Sequence, residues 1–232
     1  RELNKVLDFD ETIIPITYIN SAADLKAFCG EHGGIVCTST NAPKILNWGF
    51  KQREKVLFFP DQNLGRWTGH KMGIPLEEMP IWDPDLPMGG LTEEEIKNAK
   101  VLLWKGHCAV HQMFRPQSIE QFRKEHPGGQ VISHPESPFD VCLNSDFVGS
   151  TEYILNTIKA AEPGTKWLVG TELNLVTRLA EEMKAENKHV QFMSHVVCEC
   201  STMARIDPQH LAWCLENLVE GNIVNQITVP AE

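Results

Sequence analysis

The chain has 232 residues, 42% of them hydrophobic and 22% charged, with a formal net charge of −10. That length allows one large domain or two ordinary ones with proper cores, and the composition is that of a globular protein. The acidic balance and the lack of a basic stripe exclude a nucleic-acid backbone binder, and no apolar run approaches the ~20 residues of a membrane span.

A local site can still oppose the global field, so an anionic small substrate stays open. The start, Arg1-Glu2-Leu3-Asn4-Lys5, has neither an initiator Met nor an apolar signal core. The expectation is therefore an internal piece of a longer cytoplasmic protein. The cysteines Cys29, Cys37, Cys108, Cys142, Cys198, Cys200 and Cys214 are sparse, irregular and odd in number. They point to a reducing compartment with metal-binding or reactive thiols rather than a disulfide scaffold.

In chain order, the apolar run at 12–20 reads as a strand, and Ser21 with Asp24 resembles a capping box opening a helix. Gly33-Gly34 ends that helix, and Ile35-Val36-Cys37 is the next strand. A helix with Ile45, Leu46 and Trp48 follows, then the strand 56–59, closed by Pro60-Asp61-Gln62-Asn63-Leu64-Gly65. Residues 69–91 are dense in proline and glycine and read as a long irregular connector. The alternation resumes with a helix at 92–98, a strand at 101–104, a helix near 118–124 and a strand at 130–133. Helices from Thr151 and Leu173 flank a strand at 167–169, and 190–193 is the last strand. Asp207-Pro208 marks the start of a final helix, a cap followed by proline at the first helical position. Leu211, Leu215 and Leu218 give that helix one apolar stripe. Short strands each followed by a helix predict an α/β fold with parallel sheets in two similar units. The expected boundaries are 1–105, including the connector, then 106–198, then 199–232 for a loop and the last helix.

Residues just past the carboxyl ends of parallel strands line the ligand crevice. Those positions hold Tyr18 and Asn20, Ser39, Asp61 and Asn63, then Cys108 and His111, His134 and Glu136, Ser150 and Thr151, Thr171 and Glu172, and finally Cys198 and Cys200. In Lys105-Gly106-His107-Cys108-Ala109-Val110-His111, two imidazoles and a thiol fall within five residues. Soft ligands there and at Cys198-Glu199-Cys200 suggest a metal or cluster assembled from distant parts of the chain. Structural zinc usually shows paired C-x₂₋₄-C knuckles, and this chain has no C-x-x-C. Gly149-Ser150-Thr151 before a helix fits an anion site or an ordinary N-cap. His134-Pro135-Glu136-Ser137-Pro138 fixes an imidazole and a carboxylate suited to general acid–base work, or else forms a rigid turn with a solvated Glu. Cys29, Cys37, Cys142 and Cys214 read as packed apolar thiols. Cys198 is either a spare neighbour of Cys200 or a ligand in its place.

Several motifs together resemble the quinolinate synthase family, the bacterial A protein of NAD biosynthesis. They are Tyr18-Ile19-Asn20-Ser21, Cys37-Thr38-Ser39-Thr40-Asn41-Ala42, Pro60-Asp61-Gln62-Asn63-Leu64-Gly65, Gly106-His107-Cys108-Ala109-Val110-His111, His134-Pro135-Glu136-Ser137-Pro138, Gly149-Ser150-Thr151 and Cys200-Ser201-Thr202-Met203. The resemblance implies three pseudo-symmetric α/β domains around a central [4Fe–4S] cluster, of which this chain carries the last two. It implies Cys108 and Cys200 as cluster ligands, with the third cysteine upstream of residue 1. The implied reaction condenses iminoaspartate with dihydroxyacetone phosphate to quinolinate, with functional coupling to an L-aspartate oxidase or dehydrogenase. By the same resemblance Tyr18 and Glu136 are proton-transfer groups, while Asn20 and His134 position the intermediate. Ser39, Ser150 and Thr151 contact phosphate or carboxylate, Thr171 joins the substrate site, and His111 orients the Cys108 loop. Two other readings are a metal-free anion-binding α/β module using the strand-end Ser and Thr, and a thiol redox protein built on Cys198 and Cys200.

Overall fold

A computed structural model describes residues 2–196 and 200–228. After a one-turn helix α1 (Phe9–Thr12), the elements of the first part are β1 (Ile13–Tyr18), α2 (Ala23–Glu31), β2 (Ile35–Cys37), α3 (Ala42–Gln52), β3 (Lys55–Phe59), α4 (Gln62–Lys71), β4 (Ile81–Trp82), α5 (Glu93–Asn98) and β5 (Val101–Trp104). The second part contains α6 (Pro116–Glu125), β6 (Gln130–Ser133), α7 (Phe139–Asn144), β7 (Phe147–Val148), α8 (Thr151–Ala160), β8 (Lys166–Gly170), α9 (Leu173–Met183), β9 (His189–Phe192) and α10 (Pro208–Val219). The strands form two sheets, a five-stranded one in the order β2-β1-β3-β5-β4 and a four-stranded one in the order β7-β6-β8-β9. Every pairing in both is parallel. The fold is thus α/β, as the strand–helix alternation predicts.

Strand residues alternate between two apolar layers, because successive side chains of a strand point to opposite faces. In the first sheet Ile14, Ile16, Val56, Phe58, Val101 and Leu103 pack on one side with Leu46 of α3 and Leu64 of α4. Ile13, Leu57, Phe59 and Leu102 pack on the other with Cys29 of α2 and Ile96 of α5. The second sheet places Ile132, Trp167, Val169 and Val190 against α8 and α9, and Val131 and Leu168 against α6 and α7. Burial on both faces accounts for the near-continuous apolar runs of the central strands. Cys29, Cys37 and Cys142 are buried thiols, as expected, whereas Cys214 of α10 is only half-buried.

Three details depart from the sequence reading. The connector 69–91 is not wholly irregular, since Ile81 and Trp82 form β4 and pair in register with Leu103 and Trp104 of β5. The helix after β1 has Ala22, not Ser21, at its N-cap, and Ser21 Oγ instead lies 3.1 Å from Thr17 Oγ1, which donates to it. The segment after β3 does not simply close the strand, because Asp61 caps α4 by accepting from Leu64 N–H at 2.7 Å. Glycine inside α4 has a packing reason: a Cβ on Gly65 would stand 2.6 Å from Leu103 Cδ2 and Phe58 Cδ1, so its absence lets the helix approach β3 and β5.

Each sheet also carries one buried lysine tied to a helix end. Lys55 Nζ donates to the carbonyls of Lys97 at 2.6 Å and Ala99 at 3.1 Å, in the last turn and at the C-cap of α5. Lys188 Nζ donates to the carbonyls of Ile158 at 3.1 Å and Lys159 at 2.8 Å in the last turn of α8. Their side chains are 3% and 0% exposed. A cation there adds a donor to carbonyls at the helix end and complements its negative end. Asp207 and Pro208 start α10 as predicted, with the Asp207 carboxylate accepting from His210 N–H at 2.8 Å. The apolar stripe of α10 is exposed rather than packed, Leu211, Leu215 and Leu218 each being more than half accessible.

Candidate active site

The carboxyl ends of the strands form two rows. In sheet order the first row is Ser39 after β2, Tyr18 ending β1, Asp61 after β3 and Cys108 after β5. The second is Ser150 after β7, His134 after β6 and Thr171 after β8, with Cys200 further past β9. The rows meet at Glu136, two residues beyond His134. Tyr18 Oη donates to Glu136 Oε2 at 3.3 Å, and Asn63 Nδ2 donates to the Glu136 carbonyl at 3.1 Å. Glu136 Oε2 also lies 3.3 Å from His134 Nδ1, and that nitrogen accepts from Glu136 N–H at 3.3 Å. The rings of His134 and His111 stack with centroids 4.9 Å apart.

Local sequence explains this geometry. Pro135 and Pro138 flank Glu136 and Ser137, and Ser137 N–H donates to the His134 carbonyl at 2.9 Å, closing a tight turn. That turn folds the carboxylate back over the imidazole, towards β1. After β5 the chain bends at Gly106, where a Cβ would stand 2.1 Å from the Pro60 carbonyl oxygen, a close approach that only glycine permits. Cys108 follows, its N–H donating to Asp61 Oδ2 at 3.1 Å. Asp61 thus accepts from α4 with one oxygen and from the Cys108 turn with the other.

Burial shapes the electrostatics, because low-dielectric surroundings disfavour the charged form of each group. Burial, then the nearby Asp61 charge, pushes Glu136 up to about 8, against the pull of the Tyr18 hydrogen bond. Burial raises Asp61 to about 7 although backbone N–H groups of Leu64, Cys108 and Asn63 favour its anion. The Tyr18 phenol is held above its ordinary value by burial and by Glu136, with the Ser39 hydroxyl opposing. Burial lowers His134 to about 3, helped by His111, and lowers His111 to about 4. The imidazoles are therefore neutral near pH 7, and burial favours the protonated form of Glu136. A protonated Oε2 can accept from Tyr18 and donate to His134 Nδ1, making one hydrogen-bonded chain from phenol to imidazole.

Cys108 Sγ, a ring nitrogen of His111 and a carboxylate oxygen of Glu136 lie within 4.8 Å of one another, a spacing that could hold a metal ion. Among the described residues neither ring nitrogen of His111 has a hydrogen-bond partner, although the residue is buried. Unpaired buried nitrogens are costly and point to a missing partner at the site. Burial raises the Cys108 thiol to about 11. Cys200 packs against the same apolar cluster as Cys108, around Val110, Phe114, Val141 and Met193, and its thiol lies 3.0 Å from Thr202 Oγ1. Cys198 lies outside the described residues.

The structure brings together Tyr18, Ser39, Cys108, His111, His134 and Glu136 of the residues read from sequence. Ser150 and Thr171 are buried at the neighbouring strand ends, and Ser150 Oγ accepts from Tyr153 N–H at 3.3 Å as the N-cap of α8. Asn20 and Thr151 are exposed. Asp61 and Asn63 stand at a strand end in the sequence reading but without a role, and the structure makes both part of the site.

A family model described as quinolinate synthetase A protein matches residues 2–232. A quinolinate synthase of Rhodopirellula baltica is 55% identical over the whole chain and 58% of its own length. Those of Herpetosiphon aurantiacus and Streptomyces coelicolor are 53% and 51% identical over 99% and 96% of the chain, covering 61% and 57% of the relatives. The chain therefore spans about three fifths of the length of the curated relatives it matches. Agreement at half of all positions, sustained from one end of the chain to the other, shows that it belongs to the quinolinate synthetase A family.

Proposed function

We propose that the complete protein is a quinolinate synthase of de novo NAD biosynthesis, a transferase condensing iminoaspartate with dihydroxyacetone phosphate and releasing phosphate and water. The observation that carries this reading is the chain Tyr18–Glu136–His134, which bridges the two sheets beside Cys108 in a member of that family.

The condensation needs protons moved to and from carbon and oxygen, and the site holds groups matched to it. Glu136, raised to about 8, is near the operating pH where a group best serves as both acid and base. Tyr18, 3.3 Å away, keeps its phenol proton and donates it as a hydrogen bond that orients Glu136 Oε2. Neutral His134 accepts at Nδ1, which leaves Nε2–H to orient a substrate oxygen. Ser39 and Asn20 flank Tyr18, and Ser150, Thr151 and Thr171 supply hydroxyls and the N-terminus of α8 for phosphate or carboxylate. Burial of most of these groups excludes water, so the hydrogen bonds act in a low dielectric.

The donors fit a [4Fe–4S] cluster: two isolated thiols, Cys108 and Cys200, against one apolar surface, with the third cysteine supplied by upstream sequence. When bound, such a cluster supplies Lewis acidity that polarises the oxygen substituents lost in the dehydrations. Binding at Cys108 would displace the proton that burial retains on its thiol. The substrates are small anions, with iminoaspartate coming from an L-aspartate oxidase or dehydrogenase in the cytoplasm; among the described residues no helix is long and apolar enough to cross a membrane.

A second reading is a single metal ion held by Cys108, His111 and Glu136, favoured by the mutual approach of their ligand atoms. Anaerobic reconstitution of the upstream-extended protein distinguishes the two. About four irons with matching sulfide, and quinolinate formed from the two substrates, support the synthase. One metal without sulfide supports the single-ion site, and a folded protein with no metal returns the chain to an anion-binding module.

A further inference from the structure

The turn at 60–63 is bound to the Cys108 loop more tightly than chain connectivity requires. Gln62 N–H donates to the Gly106 carbonyl at 2.9 Å, and Cys108 N–H donates to Asp61 Oδ2 at 3.1 Å. Between these bonds Gly106 is pressed so close to Pro60 that a Cβ would stand 2.1 Å from its carbonyl oxygen. The other carboxylate oxygen, Oδ1, accepts from Leu64 N–H at 2.7 Å at the start of α4. Two residues beyond Asp61, Asn63 Nδ2 holds the Glu136 carbonyl at 3.1 Å.

Capping α4 alone does not call for a carboxylate. Asn or Ser would accept from Leu64 N–H equally well and would avoid placing an ionisable group where only 3% of the residue is accessible. Asp differs from Asn in offering two acceptors, and here they point to two different segments. An Asn that kept the cap would turn its NH₂ towards Cys108 N–H, setting donor against donor.

We propose that Asp61 is a positioning residue that fixes the Cys108 thiol against the end of β3, and so sets where the metal-bearing loop stands relative to Glu136. This rests on the reading of Cys108 as a metal ligand. Asp61 touches no reacting atom in this account; it acts by denying the Cys108 turn the freedom to swing away from α4.

The test uses the upstream-extended, anaerobically reconstituted protein and four variants. Asp61→Asn keeps the cap, Gly106→Ala forces the two segments apart, Thr92→Ala removes an unrelated cap at α5, and Cys108→Ser removes the ligand. Two rates are read besides activity: iron release to a chelator, and amide hydrogen exchange of the 106–110 segment. Asp61→Asn should speed both about tenfold or more, because the Cys108 N–H loses its acceptor and faces a donor, with a melting shift no larger than that of Thr92→Ala. Thr92→Ala should leave both rates unchanged. If Asp61→Asn does not fold, Gly106→Ala decides by the same two rates. Rates within twofold of wild type in Asp61→Asn, with iron lost in Cys108→Ser, overturn the positioning role alone. Full iron in Cys108→Ser overturns that role and the ligand reading together.

Discussion

Replacing Glu136 by Gln separates the chemistry of the carboxyl group from its place in the structure. The amide has nearly the same shape, and its NH₂ at the Oε2 position can donate to both His134 Nδ1 and Tyr18 Oη, each now 3.3 Å away. Stability should respond in a direction set by the raised acidity constant. Glu136 moves from 4.5 to about 8 on folding, so the native state holds a proton that the unfolded chain releases. The sign follows: this preference stabilises fully below about pH 4.5 and is lost as pH rises through the interval up to about 8. At pH 7 about 2.5 pH units of it have gone, or about 3 kcal/mol. Gln carries no such penalty, and about 1 kcal/mol is set against it for imperfectly replaced hydrogen bonds. The metal-free Gln variant should therefore be about 2 kcal/mol more stable than wild type at pH 7 and no more stable at pH 4. Denaturant melts at the two pH values measure this. In the reconstituted enzyme turnover should fall about 10²-fold or more, because the proton carrier is gone. Equal stability at both pH values would mean that the native carboxyl is ionised near neutrality, and the protonation argument would be wrong. Unchanged turnover would return Glu136 to a structural turn.

Other expectations are independent of that one. Cys108→Ser and Cys200→Ser should each abolish iron loading, whereas Cys142→Ser, a buried thiol 3.8 Å from the His134 carbonyl, should load normally; equal losses in all three would refute the ligand assignment. Tyr18→Phe keeps the packing of the buried ring and should melt within a few degrees of wild type, yet lose about tenfold or more in turnover. Lys188→Met removes the ammonium from the carbonyls of Ile158 and Lys159 and from Glu186 and should cost about 1–3 kcal/mol, read as a lower melting temperature; a shift of under a degree would show that water replaces the ammonium.

What could be read from sequence was the part written in short range. The apolar runs of β1, β3, β5, β6, β8 and β9 announce themselves, and with parallel sheets assumed, the polar residue after each run is a site candidate. That logic found Tyr18, Cys108, His134 and Glu136 before any geometry. The two-residue strands β4 and β7 leave no such periodic trace, since a pair of residues has no alternation to detect. α4 was obscured by Gly65 and Gly69, which weaken a helix locally and are tolerated because the helix lies close against its neighbours. The part played by Asp61 could not be read locally, because the bond that defines it joins residues 47 positions apart. For Asn63 and the Glu136 carbonyl the separation is 73 positions. Only the relative placement of two sheets reveals them. Family resemblance supplies the roles expected of these residues, and the hydrogen bonds show which of the side chains meet.

Lys55 and Lys188 have a use outside stability. Each ammonium is sealed behind the end of its own sheet, one in each half of the protein. An amine reagent can reach either only when the layer around it opens. Two lysines at known positions thus form a pair of chemical clocks, one per half. Their labelling rates, read by mass spectrometry on untagged protein, would tell whether the halves breathe together or separately.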